Sequence, residues 1–266
     1  MNLGIVTDEL ALNLPFALGA AAALGLKRLE LRNTLSGRVP FFDDDTKELL
    51  EDMIDDYDFE ITALSPGTFK CKLDSPQAES QMANLAKTIE LAKEFEVGKI
   101  IVFAFQRSPE DTPADYEKVL DYLGQAALLG QKHGIIIAAE NEMGCYNDTY
   151  ENISRLHKDL ANTGLKLNWD PGNYHAASGL PYKQAYEGLK EHIANVHIKD
   201  SKGQGKEHRW VALGEGEIDW QSQISDLYRD MPSVDLVIET HAWPVLGNSL
   251  KNLELVKEHI RSAKNA

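Results

Sequence analysis

Four apolar runs in the second half of the sequence end in side chains that bind metals or move protons. GIIIAAEN ends at Glu140, LKLNWDPGN at Asp170, IANVHIKD reaches His197 near its end, and VDLVIETH ends at Glu239. Two Glu, one Asp and one His around a common point would form an oxygen-rich set with one borderline nitrogen. Such a set suits one divalent ion, Mn²⁺, Mg²⁺ or Co²⁺ with Zn²⁺ also allowed, and leaves coordination positions open for substrate oxygens. Two carboxylates on opposing sides of one carbon can remove a proton from one face and return it to the other. Glu140 and Glu239 are therefore the candidate acid/base pair of an isomerase or epimerase, with the metal stabilising the enediolate left by proton abstraction. Glu142 is the competing ligand; Glu140 is preferred because it directly ends its apolar run.

These residues converge only if the chain delivers them to one place. Short β-branched runs at Leu3–Thr7, Lys27–Leu31, Glu60–Leu64, Lys99–Phe103, Gly134–Ala139, Leu165–Trp169, Ile193–Ile198 and Val234–Ile238 read as strands. Amphipathic stretches such as Pro76–Phe95, Pro113–His133 and Thr149–Asn162 lie between them. Strands alternating with helices imply parallel pairing, and eight such units in 266 residues predict a single-domain (β/α)8 TIM barrel over 1–266. Asp74-Ser75-Pro76 and Asp111-Thr112-Pro113 read as helix starts, and Gly25, Gly98, Gly134 and Gly164 as helix stops. In a barrel, active residues project from the carboxyl ends of strands. Side-chain alternation then predicts Lys166, Asn168 and Asp170 inward on the sixth strand, His197 and Lys199 on the seventh, and Glu239 and His241 on the eighth. Strands five and eight lie three steps apart around the ring, so Glu140 and Glu239 approach a central substrate from directions roughly 135° apart.

Composition excludes several partners. With 42 Asp+Glu against 27 Lys+Arg and a formal net charge of -15, nucleic acid and anionic membrane are not expected. Cys71 and Cys145 form no CxxC or disulfide framework, which predicts a reducing compartment. MNLGIVTDEL lacks the basic n-region of a secretory leader, so a cytoplasmic location is expected. No GxSxG, Walker A or HExxH pattern occurs. A homo-oligomer is allowed.

The phrases AAENEMG, LNWDPGN, NVHIKD, ALGEGEIDW and VIETH, with TDEL and LELRN earlier, resemble the sugar phosphate isomerase/epimerase superfamily of xylose-isomerase-like TIM barrels. The resemblance implies that Glu140, Asp170, His197 and Glu239 hold the metal. It also implies that the two Glu serve as the acid/base pair on a small sugar, keto-sugar or sugar phosphate. Asn173 and Gly203 stand where the characterised epimerases carry a His and a substrate-gripping Arg. Arg209, Lys199 and His175 are candidates for the missing substrate contacts. Glu30 and Arg32 share the inward parity of strand two, and either touch substrate or form an ion pair inside the barrel. His241 either donates to a metal-binding Glu or contacts substrate. A dehydratase or lyase acting on a sugar or inositol would share the proton-abstraction step. An endonuclease IV-like repair enzyme would need His ligands at the ends of strands three and four, where Ser65-Pro66-Gly67 and Phe105-Gln106-Arg107 stand. Asp43–Asp58 reads as a solvated helix face, His157 and His192 as solvated helix residues, and Gly214-Glu215-Gly216 as a turn seating Trp210 and Trp220.

Overall fold

Strands and helices alternate as the sequence predicts, and the strands close on themselves. The structure, a computed structural model, describes residues 1–265. Its strands are β1 (Asn2–Val6), β2 (Arg28–Leu31), β3 (Glu60–Leu64), β4 (Lys99–Val102), β5 (Ile136–Glu140), β6 (Lys166–Trp169), β7 (Ile193–Ile198), β8 (Asp200–Lys202), β9 (Arg209–Val211) and β10 (Asp235–Ile238). The helices are α1 (Leu14–Ala23), α2 (Asp44–Tyr57), α3 (Gln81–Glu94), α4 (Pro113–Lys132), α5 (Tyr150–Asp159), α6 (Pro171–Ser178), α7 (Lys183–Leu189), α8 (Trp220–Asp230) and α9 (Val245–Asn265). The closed barrel runs β1-β10-β7-β6-β5-β4-β3-β2, all parallel, and β8 and β9 form a separate antiparallel hairpin above it. No helix among the described residues is long and apolar enough to cross a membrane.

Alternation sorts the strand residues as parity requires. Leu167, Trp169, Val196, Ile198 and Leu236 pack outward into one shared core with Ile224 and Leu227 of α8 and Val256 and Ile260 of α9. Side chains of the opposite parity face the barrel axis, and many are polar. Lys99 Nζ donates to Asn195 Oδ1 at 2.8 Å, Asn195 Nδ2 to Asn168 Oδ1 at 2.9 Å, and Asn168 Nδ2 to Glu140 Oε2 at 3.2 Å. This buried chain of hydrogen bonds runs up the interior and ends at the carboxyl ends of the strands. The interior thus departs from the usual branched aliphatic layers, and each polar group in the chain has a partner, as burial demands.

Helix starts follow side-chain capping. Thr112 and Asp115 form a capping box at α4 with Pro113 in the first turn, and Asn13, Asp43, Thr149 and Asp219 accept from the second or third helical N–H. Asp74-Ser75-Pro76 does not start a helix: Ser75 closes a turn on the Lys72 carbonyl, and the α-helix begins at Gln81. Gly98 is not the left-handed stop after α3 either; Glu96 takes that conformation at φ 54. On α2 only Leu50 is buried, so its acidic residues do form a solvated face. His157 corrects its expectation: it is buried at 2% exposure and stacks on His192 at 4.5 Å.

Candidate metal centre

The motif WDPGN shows how local folding rules build one corner of the site. Asp170 ends β6 and caps α6, accepting from Asn173 N at 2.8 Å through Oδ1, while Pro171 takes the first helical position. The cap fixes one carboxylate oxygen and turns the other, Oδ2, into the barrel mouth. Asn141 locks the same backbone, donating to the Asp170 carbonyl at 2.8 Å and accepting from its N–H at 2.9 Å. Gly172 is required because a Cβ there would lie 2.7 Å from Lys199 Cγ and 3.1 Å from Asp170 Oδ1.

One ligand atom from each of Glu140, Asp170, His197 and Glu239 lies within 4.8 Å of the others, and all four residues are buried. The described residues hold no second such group. His197 presents Nδ1 to this cluster, 3.4 Å from both Glu140 Oε2 and Glu239 Oε2. Its Nε2 faces away, 3.0 Å from Glu30 Oε2. A carboxylate on the far nitrogen fixes the orientation of a metal-binding imidazole, so Glu30 sets which nitrogen points inward. Glu30 also accepts from Ser65 Oγ and is fully buried, so it faces His197 and Ser65 inside the barrel. Asn173 Nδ2 donates to Glu140 Oε1 at 2.9 Å.

Lys199 reaches into the same cluster. Its ammonium lies 2.6 Å from Glu239 Oε2, 2.8 Å from Asp170 Oδ2 and 3.9 Å from Glu140 Oε1, below the Trp210 ring. Asp170 Oδ2 is buried and accepts no aligned hydrogen bond, even from that ammonium. Burial opposes charge on every member. It is outweighed by Glu30, Glu140 and Glu239 at His197, which is held well above its ordinary range, and by Asp170, Glu239 and Glu140 at Lys199, which is raised. It is likewise outweighed at Glu140 by His197, and at Glu239 by Lys199 with both neighbouring histidines, so both carboxylates are lowered. At Asp170 burial prevails and pushes the carboxyl up to about 6. A buried donor set of three carboxylates and one oriented imidazole, with one carboxylate oxygen that accepts no hydrogen bond, fits a divalent ion, and the cluster could hold one.

The remaining candidates separate. Arg32 is tied to Asp8 at 3.1 Å, to Glu9 at 2.8 Å and to Glu239 Oε1, so the TDEL and LELRN phrases build a brace for the Glu239 carboxylate. His241, left-handed at φ 53, lies 3.3 Å from Glu239 Oε1 and lines the cavity. Glu142 pairs with Lys70 at 2.8 Å and stays outside the cluster. His175 sits 3.2 Å from Ser201 Oγ and 3.4 Å from Glu217, and Arg209 is exposed on β9; neither lines the cavity. The Gly214–Gly216 turn wraps Asp200, whose carboxylate accepts from Gly214 N at 2.9 Å and Gly216 N at 3.3 Å. Asn141 and Gly172 were not singled out from the sequence, and Asn168 was read only as facing the barrel axis. Their adjacency to the motif residues was the available signal.

The family described as Xylose isomerase-like TIM barrel matches residues 18–265. No curated protein matches the sequence. Among solved structures, the probable 3-DHS dehydratase AsbF of Bacillus anthracis superposes with a TM-score of 0.82 at 18% identity, over 97% of this chain and 99% of that one. A Xylose isomerase-like TIM barrel protein from Mycobacterium smegmatis in complex with magnesium gives 0.76 at 19%, over 93% and 88%. D-allulose 3-epimerase from Methylomonas sp. in complex with D-allulose gives 0.77 at 14%, over 97% of each chain. At these identities the likeness is one of fold.

Proposed function

This chain belongs to the xylose isomerase-like TIM barrel family, and from that premise we propose that it is a divalent-metal-dependent isomerase or epimerase of a small sugar, keto-sugar or sugar phosphate. The observation that carries the reading is the convergence of Glu140, Asp170, His197 and Glu239 within 4.8 Å at the carboxyl ends of four consecutive barrel strands. Those four residues would hold the ion. When bound, the ion supplies positive charge beside the substrate carbonyl and its neighbouring hydroxyl, which acidifies the C–H bond between them.

The chain's own groups then perform proton transfer. Glu239 is held ionised by Lys199, the neighbouring histidines and Arg32, and is the group positioned to accept a proton. Glu140, anchored by Asn168 and Asn173, takes up a proton from solvent and delivers it to the other face or to the adjoining carbon, while Glu239 releases the abstracted proton to solvent. Arg32 and Asn173 keep the two carboxylates apart and oriented, the condition for proximity to lower the barrier. A dehydratase, as in the AsbF neighbour, would share the first step and differ in expelling a β-hydroxyl.

The test loads the full chain in turn with Mn²⁺, Co²⁺, Mg²⁺ and Zn²⁺ and incubates it with ketoses, keto-acids and their phosphates in deuterated water. Metal-dependent incorporation of deuterium at the α-carbon is expected, abolished in Glu239→Gln and Glu140→Gln. Absence of exchange with every metal and substrate overturns the reading, and product analysis separates epimer from dehydrated product.

A further inference from the structure

The cavity above the carboxylate cluster, about 260 Å³, is lined by three Lys and Arg side chains in a protein of net charge -15. Two of them are already committed. Arg32 is neutralised by Asp8, Glu9 and Glu239, and Lys70 by Glu142, with its ammonium 4.4 Å above the Phe103 ring. Arg38 differs. Its Nε donates to the Ser65 carbonyl at 3.1 Å, and among the described residues no carboxylate lies within ion-pair distance of it. The two terminal nitrogens have no protein partner.

The guanidinium is nevertheless held in place. Arg38 closes the loop after β2 through an antiparallel bridge to Asn33, which delivers it to the cavity edge. It lies against the backbone of Gly67 in the loop after β3. A Cβ on Gly67 would sit 2.9 Å from Arg38 Cζ, and the φ of +76 already favours glycine there. Half-burial and the nearby Arg32 both disfavour the charge, and Arg38 is lowered accordingly. A fixed, partly desolvated guanidinium with no ion-pair partner presents a planar fork suited to two oxygens of one anion.

We propose that Arg38 anchors an anionic group of the substrate, a carboxylate or a phosphate, and so selects acid or phosphorylated substrates over neutral ketoses. This rests on the reading of the cavity as the substrate site. It also relocates the substrate-gripping cation from Arg209, which lies outside the cavity, to the loop after β2.

The test measures binding of D-fructose, D-fructuronate and D-fructose 6-phosphate to the Mg²⁺-loaded full chain by calorimetry. At least one anionic sugar is expected to bind tenfold or more tightly than D-fructose; which one identifies the anion. Arg38→Gln should shrink that preference to less than twofold while leaving D-fructose unchanged, and Arg38→Lys should retain an intermediate preference, with thermal midpoints confirming that both variants fold. Equal binding of all three sugars, binding of none, or a preference indifferent to both substitutions overturns the proposal. Deuterium exchange on the same sugars is read separately. An Arg38-dependent preference without exchange on these sugars or on the wider metal and substrate panel sinks the isomerase reading and leaves the anion site standing. Exchange on the anionic sugars with no preference that depends on Arg38 does the reverse.

Discussion

Replacing Lys199 with Met is expected to weaken the metal-free protein and tighten its grip on a divalent ion. The Lys199 ammonium, 2% exposed, neutralises Glu239 and Asp170 at 2.6 and 2.8 Å. At an effective dielectric near 20, each such pair is worth on the order of 5 kcal/mol of attraction, much of it offset by desolvation. Removing one partner of a buried pair costs about 3–5 kcal/mol because the stranded charge stays behind. For a 266-residue chain, unfolding entropy converts that to a fall of about 6–10 °C in Tm. The flexible, volume-matched Met keeps the contact with Gly172 and limits packing loss. A divalent ion would satisfy the same carboxylates, so K199M should regain most of the lost stability when Mg²⁺ or Mn²⁺ is added. By linkage, the apparent metal affinity then rises by about 100-fold or more, since each 1.4 kcal/mol is tenfold. Differential scanning fluorimetry with and without metal, and calorimetric titration, measure both quantities. A variant as stable as its parent without metal, or one whose metal-induced gain is no larger, would refute the view that ammonium and metal serve the same carboxylates.

Three further outcomes follow from single contacts. Glu30→Gln keeps the shape of the buried group but removes the charge facing His197 Nε2 at 3.0 Å, so metal affinity should fall about 10- to 100-fold; unchanged affinity by competitive chelation would show that Glu30 does not orient the ring. Gly172→Ala forces a methyl to within 2.7 Å of Lys199 Cγ, and urea unfolding should reveal a loss of about 1–3 kcal/mol, whereas parent-like stability would mean that Lys199 yields freely. His157, lowered to about 3 by burial and then by His192 and Lys166, stays neutral in the fold while the unfolded chain protonates near 6.5. Its contribution is therefore lost as pH falls from 6.5 toward 3, by roughly 2 kcal/mol at pH 5. His157→Phe should flatten this limb, so the stability gap between variant and parent must change between pH 7.5 and pH 5; parallel urea midpoints would contradict it.

What the sequence made legible depended on whether one local rule governed a residue. Strand parity placed Asp170, His197 and Glu239 correctly because a two-residue period leaves no third choice, and each strand's apolar set already named the outward face. Asp170 could also be located because two demands coincide on it, a helix cap and a place in the acidic cluster, and Pro171 marks the first. Neighbours across the barrel were harder. Glu30 and Arg32 share one strand and one parity, yet one supports His197 from below while the other braces Glu239 alongside Asp8 and Glu9. That division depends on strands that are distant in sequence. His157 shows the limit of helical periodicity, since the pocket that buries it is closed by His192 from another segment. Arg38 and Arg209 show it most sharply. Each is an arginine in a loop or hairpin above the barrel, with nothing local to rank one over the other. What distinguishes Arg38 is the glycine of the neighbouring β3 loop that leaves room for its guanidinium, and the lack of an ion-paired carboxylate on it among the described residues. Charge that a fold leaves uncompensated in a cavity is a property of the assembled surface, and for that reason it points to what the cavity is shaped to receive.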